Sequence, residues 1–171
     1  MRTARPETRH GVEEHGKRTT RSTDAYSIRR GVKEGVVCDG CGARYENKRW
    51  YAGESVPSIA SGKGMERIAC PACRRMRENN PAGIVTFSGS YLTEHEEEIL
   101  NTIKNSEERG RSKNPMARIM AINQEGNHLV VRTTDDKLAQ RLGREVFHAF
   151  QGNLEYHWSH DQKFVRVNWQ R

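Results

Sequence analysis

Arg118-Ile119-Met120-Ala121-Ile122, then Gln124-Glu125-Gly126-Asn127, then His128-Leu129-Val130-Val131-Arg132: this stretch decides the fold. Its two flanks are short apolar runs rich in β-branched residues, and the middle carries a glycine–asparagine turn, so it reads as a β-hairpin. Upstream, Ile84-Val85-Thr86-Phe87 reads as a strand. Thr93, with Glu96 three residues on, then predicts a capping box opening a helix. Ile99, Leu100 and Ile103 form its buried stripe, and it is expected to end near Gly110. Downstream, Thr133, Thr134 and Asp135 offer an N-cap. Leu138, Leu142, Val146 and Phe150 then recur every fourth residue, with Phe147 beside them, until Gly152 stops the helix. Leu154-Glu155-Tyr156-His157-Trp158 and Phe164-Val165-Arg166-Val167-Asn168-Trp169 close the chain as a second hairpin.

The order from residue 84 is β-α-β-β-α-β with one further strand. It predicts an α+β fold of the split-βαβ, ferredoxin-like type, an antiparallel sheet with two helices on one face. The open face of such a sheet is a common RNA platform, but the aromatic ribonucleoprotein motif is missing from its strands, so an RNA-recognition motif of that kind is not expected.

Further towards the N-terminus lie the chain's four cysteines, in two matched pairs: Cys38-Asp39-Gly40-Cys41 and Cys70-Pro71-Ala72-Cys73. Two residues between paired cysteines let a tight turn aim both sulfurs at one ion, and residues 42 to 69 are enough for a hairpin that brings the second turn to the first. The pattern predicts one structural Zn²⁺ held by Cys38, Cys41, Cys70 and Cys73, a closed site with no open position for water. Two disulfides and a redox dithiol are the alternatives. Nothing marks the chain as exported, and a redox pair leaves the second pair unexplained. The Asn79-Asn80-Pro81-Ala82-Gly83 cluster reads as a boundary. The expected organisation is a basic arm over 1–35, a zinc ribbon over 36–80 and an α/β domain over 84–171.

Only 34% of the 171 residues are apolar and 30% are charged, so part of the chain is expected to lie outside any core. There is no apolar N-terminal run, and with reduced cysteines this points to a cytoplasmic protein without a membrane span. The net charge is +7 and the pI about 9.5. Residues 1–36 carry +4 and 37–83 carry +3, whereas 84–112 carry −3. That asymmetry suggests a polyanionic partner, with a merely solvated basic surface as the plainer reading. Arg2, Arg5, Arg9, Lys17, Arg18, Arg21, Arg29 and Arg30 lie in the arm, which has too little apolar surface to order alone and is expected to settle against phosphates. Lys48, Arg49 and Trp50 in the ribbon, and Arg74, Arg75 and Arg77 after Cys73, complete the candidate RNA contacts. Tyr45, Trp50 and Tyr51 fit packing around the metal better than an exposed stacking surface.

Catalysis finds little support. Glu94, Glu96, Glu97 and Glu98 crowd a helix start, where the dipole favours negative charge. His157 and His160 have no diagnostic metal partner and read as part of a solvated turn. No nucleophile–base pairing, phosphate-binding loop or open metal site is present, so an enzyme is not expected.

The two cysteine knuckles, Asn80-Pro81-Ala82-Gly83, Glu94-His95-Glu96-Glu97-Glu98-Ile99-Leu100-Asn101, and the stretch from Thr133-Thr134-Asp135 to Phe150-Gln151-Gly152 together carry a resemblance. Over roughly residues 36–169 the chain resembles a group of small bacterial zinc-ribbon proteins of little-assigned function. That group is distantly similar to the archaeal and eukaryotic adaptor for export of the large ribosomal subunit. The resemblance implies binding to the large ribosomal subunit or a tRNA site, with translation control or protection of idle ribosomes under stress as the nearest bacterial role; other structured RNA is a further candidate partner. A DNA-binding regulator using the zinc module is the alternative, and it requires a recognition helix near 74–77.

Overall fold

The computed structural model describes residues 11–17, 24–27, 32–53 and 66–171. In chain order the elements are β1 (Gly11–His15), β2 (Val37–Cys38), β3 (Arg44–Glu46), β4 (Arg49–Tyr51), β5 (Arg67–Ile68), α1 (Pro71–Arg77), β6 (Gly83–Ser88), α2 (Ser90–Glu94), α3 (Glu96–Lys113), β7 (Ile119–Glu125), β8 (His128–Thr133), α4 (Asp136–Phe150), β9 (Asn153–Trp158) and β10 (Val165–Gln170). They form a six-stranded sheet in the order β1-β9-β10-β6-β8-β7 and a small four-stranded sheet in the order β4-β3-β2-β5. No helix among the described residues is long and apolar enough to cross a membrane.

The hairpin that decides the fold is present. Glu125 pairs with His128 around Gly126, whose φ of 61° suits a residue without a Cβ, and a register shift between Ile119 and Ala121 bends β7. Asp135 caps α4 as expected, its carboxylate accepting from the Leu138 N–H at 3.2 Å. The stripe of Leu138, Leu142 and Val146 lies fully buried against Val85, Phe87, Val131, Leu154, Val165, Val167 and Trp169 of the sheet. Ile99 and Ile103 of α3 close the same core. Each such side chain contributes about 1.5–3 kcal/mol of burial, so this layer supplies the main driving force for the fold. Helix α4 approaches the sheet closely because glycines allow it. A Cβ on Gly83 would lie 2.4 Å from Cβ of Ala139, and one on Gly143 would lie 2.5 Å from Cγ1 of Val167.

Several local expectations are corrected. Thr93 does not open the long helix. It lies inside α2, and the break falls at His95 (φ −126°, ψ 26°), which makes no side-chain cap. His95 stacks on Tyr91 at 4.0 Å instead, and α3 starts at Glu96 with its three glutamates in the first turn. Gly110 does not end α3. It is buried inside the helix, where its lack of a Cβ leaves room for the Arg141 guanidinium, and α3 continues to Lys113.

The closing hairpin extends the split-βαβ core in its own way. β6, β8 and β7 are antiparallel neighbours, but β10 lies parallel to β6 and antiparallel to β9, so the sheet is mixed rather than wholly antiparallel. Burial explains the placement. Val165, Val167 and Trp169 of β10 are all fully buried, which suits an inner position, whereas β9 carries Glu155 and His157 on its other face. Within the segment expected to be a structureless arm, β1 adds a further parallel strand outside β9, with Gly11 opposite Asn153 and His15 opposite His157.

Candidate metal centre

The ribbon is built from turns that carry the sulfurs. Val37 of β2 pairs with Arg44 of β3 and with Arg67 of β5, which places both knuckles at one end of the small sheet. Cys70 is the N-cap of α1, and its sulfur accepts from the Cys73 N–H at 3.4 Å. Pro71 at the first helical position costs no hydrogen bond there. Cys38 Sγ accepts from the N–H groups of Gly40 at 3.4 Å and Cys70 at 3.2 Å.

All four sulfurs lie within 4.8 Å of one another. Cys41 Sγ and Cys70 Sγ are 3.7 Å apart. A tetrahedral ion with sulfur bonds of about 2.3 Å has sulfurs about 3.8 Å apart, which the Cys41–Cys70 separation matches, and the cluster as a whole is compatible with one such ion. Cys38, Cys70 and Cys73 are buried and Cys41 half-buried, so four donors close the site and it suits a structural metal.

The electrostatics show what a metal would offset. Burial opposes ionisation of Cys38, but the backbone N–H groups of Cys70, Cys41 and Gly40 outweigh it and bring its thiol down to about 7. Burial, reinforced by the neighbouring sulfurs, pushes the thiols of Cys70 and Cys73 up. Four thiolates cannot share this space without a cation. Arg118 supplies part of that charge from the main domain, its Nη1 3.7 Å from Cys73 Sγ. Burial works against the Arg118 guanidinium, yet the cluster, Cys41 foremost, holds its pKa above the ordinary value. Sequence reading missed Arg118, which sits 45 residues from Cys73 at the start of the decisive hairpin.

The expected nucleic-acid contacts divide. Trp50 is buried and packs its ring against Tyr45 at 5.4 Å, so it belongs to the ribbon core rather than to a surface platform. Arg75 is also buried, its Nη2 2.8 Å from Asp24 and its guanidinium 4.1 Å from the Tyr26 ring centroid, and this corrects its reading as a phosphate contact. Arg74 lies 5.1 Å from the same ring and Arg77 pairs with Asp39 at 2.8 Å while remaining exposed. Lys17, Lys48 and Arg49 are exposed. Arg2, Arg5, Arg9, Arg18, Arg21, Arg29 and Arg30 lie outside the described residues.

Asp24 and Tyr26, also in the segment read as an arm, form the clasp between ribbon and main domain. The Tyr26 hydroxyl donates to Glu78, which raises its pKa, and accepts from Asn80 Nδ2 at 3.0 Å. Lys163 reaches Asp136 at 3.1 Å, Asp24 at 3.8 Å and Asp135 at 3.9 Å. Nothing in the sequence marks these partners, because they converge only through tertiary packing.

No protein-family model matches the chain, and no curated protein and no solved structure shows significant similarity to it.

Proposed function

We propose that the chain is a non-enzymatic RNA-binding protein whose sulfur centre holds one structural Zn²⁺ and whose target is the ribosome. Its role on this reading is translation control or the protection of idle ribosomes under stress. Zinc is the ion that four buried, converging thiolates favour, since they are soft donors in a closed tetrahedral arrangement.

The observation that carries the reading is a basic groove of about 500 Å³ between the ribbon and the end of α3. Arg49, Trp50, Tyr51 and Ala52 line one wall, and Ser112, Lys113, Asn114 and Pro115 the other. No carboxylate is among its lining residues. Arg49 and Lys113 are exposed, and Tyr51 is one of the few large hydrophobic side chains exposed among the described residues. Two cations for phosphates and an aromatic ring for a base are the elements of a sequence-tolerant single-strand site. Lys48 lies on the turn next to Arg49. The resemblance to small bacterial zinc-ribbon proteins, themselves distantly similar to an adaptor of the large ribosomal subunit, supports the choice of target.

The duplex-DNA alternative loses support. Helix α1 has seven residues, and Arg75 and Arg77 are engaged by Asp24 and Asp39 while Arg74 lies over Tyr26, so no base-reading row is presented.

Sedimentation with ribosomal particles at stepped ionic strength tests the proposal. The expected result is co-sedimentation at low salt that falls steeply as salt rises. An Arg49→Glu/Lys113→Glu variant is expected to bind about tenfold or more weakly, with a salt slope reduced by about 2. A wild-type chain that stays in the top fractions at low salt, or a variant that binds as well as wild type, overturns it.

A further inference from the structure

The sequence holds two Glu-x-His tripeptides, Glu13-Glu14-His15 and Glu155-Tyr156-His157. They are 142 positions apart, and the fold lays them side by side. β1 and β9 are parallel, with Glu13 opposite Glu155 and His15 opposite His157. Alternation along each strand points all four side chains to the same face of the sheet, away from the helices. The two imidazoles stack with centroids 4.6 Å apart and planes at 12°. Each is next to the glutamate of its own strand, His157 Nε2 at 3.2 Å from Glu155 and His15 Nε2 at 3.6 Å from Glu13.

We propose that His15, Glu155 and His157 form a second metal site, distinct from the sulfur centre, for a divalent first-row transition ion. Their ligand atoms already lie within 4.8 Å of one another. Donors on a tetrahedral ion with bonds of about 2.0–2.1 Å are about 3.3 Å apart, close to the 3.2 Å between Glu155 and His157, and the two stacked rings turn on binding so that each nitrogen meets the ion in its own ring plane. Two imidazoles and one carboxylate without sulfur suit zinc, nickel, cobalt or iron rather than magnesium or calcium. The site is partly exposed, so it exchanges metal and keeps room for water or an external ligand beside the three protein donors, unlike the closed sulfur cage. Glu13 stands next to His15, able to hold its ring or to add a fourth donor.

The site also gives β1 a reason to be where it is. Four of its five residues are exposed and Val12 is 50% exposed, so the strand contributes little apolar burial. It joins the sheet only through β9. An ion taking one ligand from β1 and two from β9 cross-links the edge strand to the sheet at its C-terminal end. None of this depends on the RNA reading, because the four residues lie on the open sheet face and not in the basic groove.

The experiment uses untagged full-length protein whose sulfur site is already loaded. Equilibrium dialysis against micromolar Co²⁺ or Zn²⁺, with bound metal counted per chain, is expected to give two equivalents for wild type and one for His15→Ala and His157→Ala. The His160→Ala variant keeps both. The second Co²⁺ equivalent is expected to add no thiolate charge-transfer band, and amide exchange across residues 11–15 slows on metal addition in wild type alone. Only one equivalent in wild type, a second that survives in the His15→Ala/His157→Ala double variant, or exchange at 11–15 indifferent to metal overturns the proposal. All substitutions are at exposed or half-exposed positions, and an unchanged far-UV spectrum confirms that folding is intact.

Discussion

Lys163 answers for three carboxylates at once, and the balance it leaves is uneven. Its ammonium lies nearest Asp136, and Asp24 and Asp135 share what remains, with Arg75 completing the charge of Asp24. Burial, then the neighbouring charge of Asp136, raises the carboxyl of Asp135 above its ordinary value of 3.8, and Lys163 only partly opposes this. The native state therefore holds the Asp135 proton more tightly than the unfolded chain does. Stability from this group is present below the ordinary aspartate value and is lost as pH rises through the raised one. An asparagine at this position would cap α4 nearly as well and carry no charge. Asp135→Asn is accordingly expected to be more stable than wild type at neutral pH, with the advantage shrinking as the solution is acidified. Paired thermal melts across the acid limb check this, and a difference that is flat or widens towards low pH contradicts it. The same residue scale shows where sequence reading runs out. Arg74, Arg75 and Arg77 look equivalent as letters, yet their partners are Tyr26, Asp24 and Asp39 respectively, 38 or more positions away.

Elements with local causes were legible. The β7–β8 hairpin follows from its turn and β-branched flanks, and α4 from its cap and four-residue apolar spacing. The metal knuckles were legible because ligand spacing is itself local chemistry. The break between α2 and α3, the insertion of β10 beside β6 and the docking of β1 were not, since each depends on which surface is left uncovered once other elements have packed. Glycines make the distinction testable. A Cβ added at Gly83 would lie 2.4 Å from Ala139 Cβ and one added at Gly110 would lie 1.8 Å from Arg141 Nη2, both closer than contact allows. The Ala139 methyl is fixed to α4 and cannot move without lifting the helix, whereas a guanidinium is the far end of a flexible chain. Gly83→Ala is expected to cost about 1–3 kcal/mol through overpacking. Gly110→Ala is expected to be neutral or stabilising, because helix propensity gains about 1 kcal/mol and Arg141 swings aside. Denaturant midpoints rank the two variants, and a Gly110→Ala loss as large as that of Gly83→Ala refutes the argument.

The whole molecule has two cores of unequal strength joined by a polar clasp. The main core contains Phe87, Trp169, Leu92, Ile99, Ile103, Leu138 and Leu142, all essentially without solvent contact. Among the described residues, the buried apolar side chains around the sulfurs are Val36, Ala43, Tyr45, Trp50 and Ala72, with Val32, Ile68 and Met116 packed against them. So small an apolar cluster offsets little of the ordering of its own backbone, and the four-sulfur site is where a bound ion would supply the difference. Structural zinc contributes on the order of 10–16 kcal/mol in small zinc-dependent folds. The main core is apolar enough to hold without an ion. Removing the metal with a strong chelator is therefore expected to divide the molecule. Amide exchange across residues 36–53 and 66–77 rises to that of an open chain, and all four thiols react with a disulfide reagent. Exchange in β6, β8, β10 and α4 stays slow. The clasp predicts one further consequence, since Arg118 and Arg75 face the ribbon from or towards the main domain. Loss of the ribbon leaves Asp24, Asp135 and Asp136 with Lys163 alone, so the main domain is expected to melt somewhat earlier without unfolding at once. Segment-resolved exchange with and without chelator separates these outcomes. Thiols that stay protected after metal removal would show that the ribbon is held by packing alone, and collapse of both cores together would show that the clasp makes them one cooperative unit.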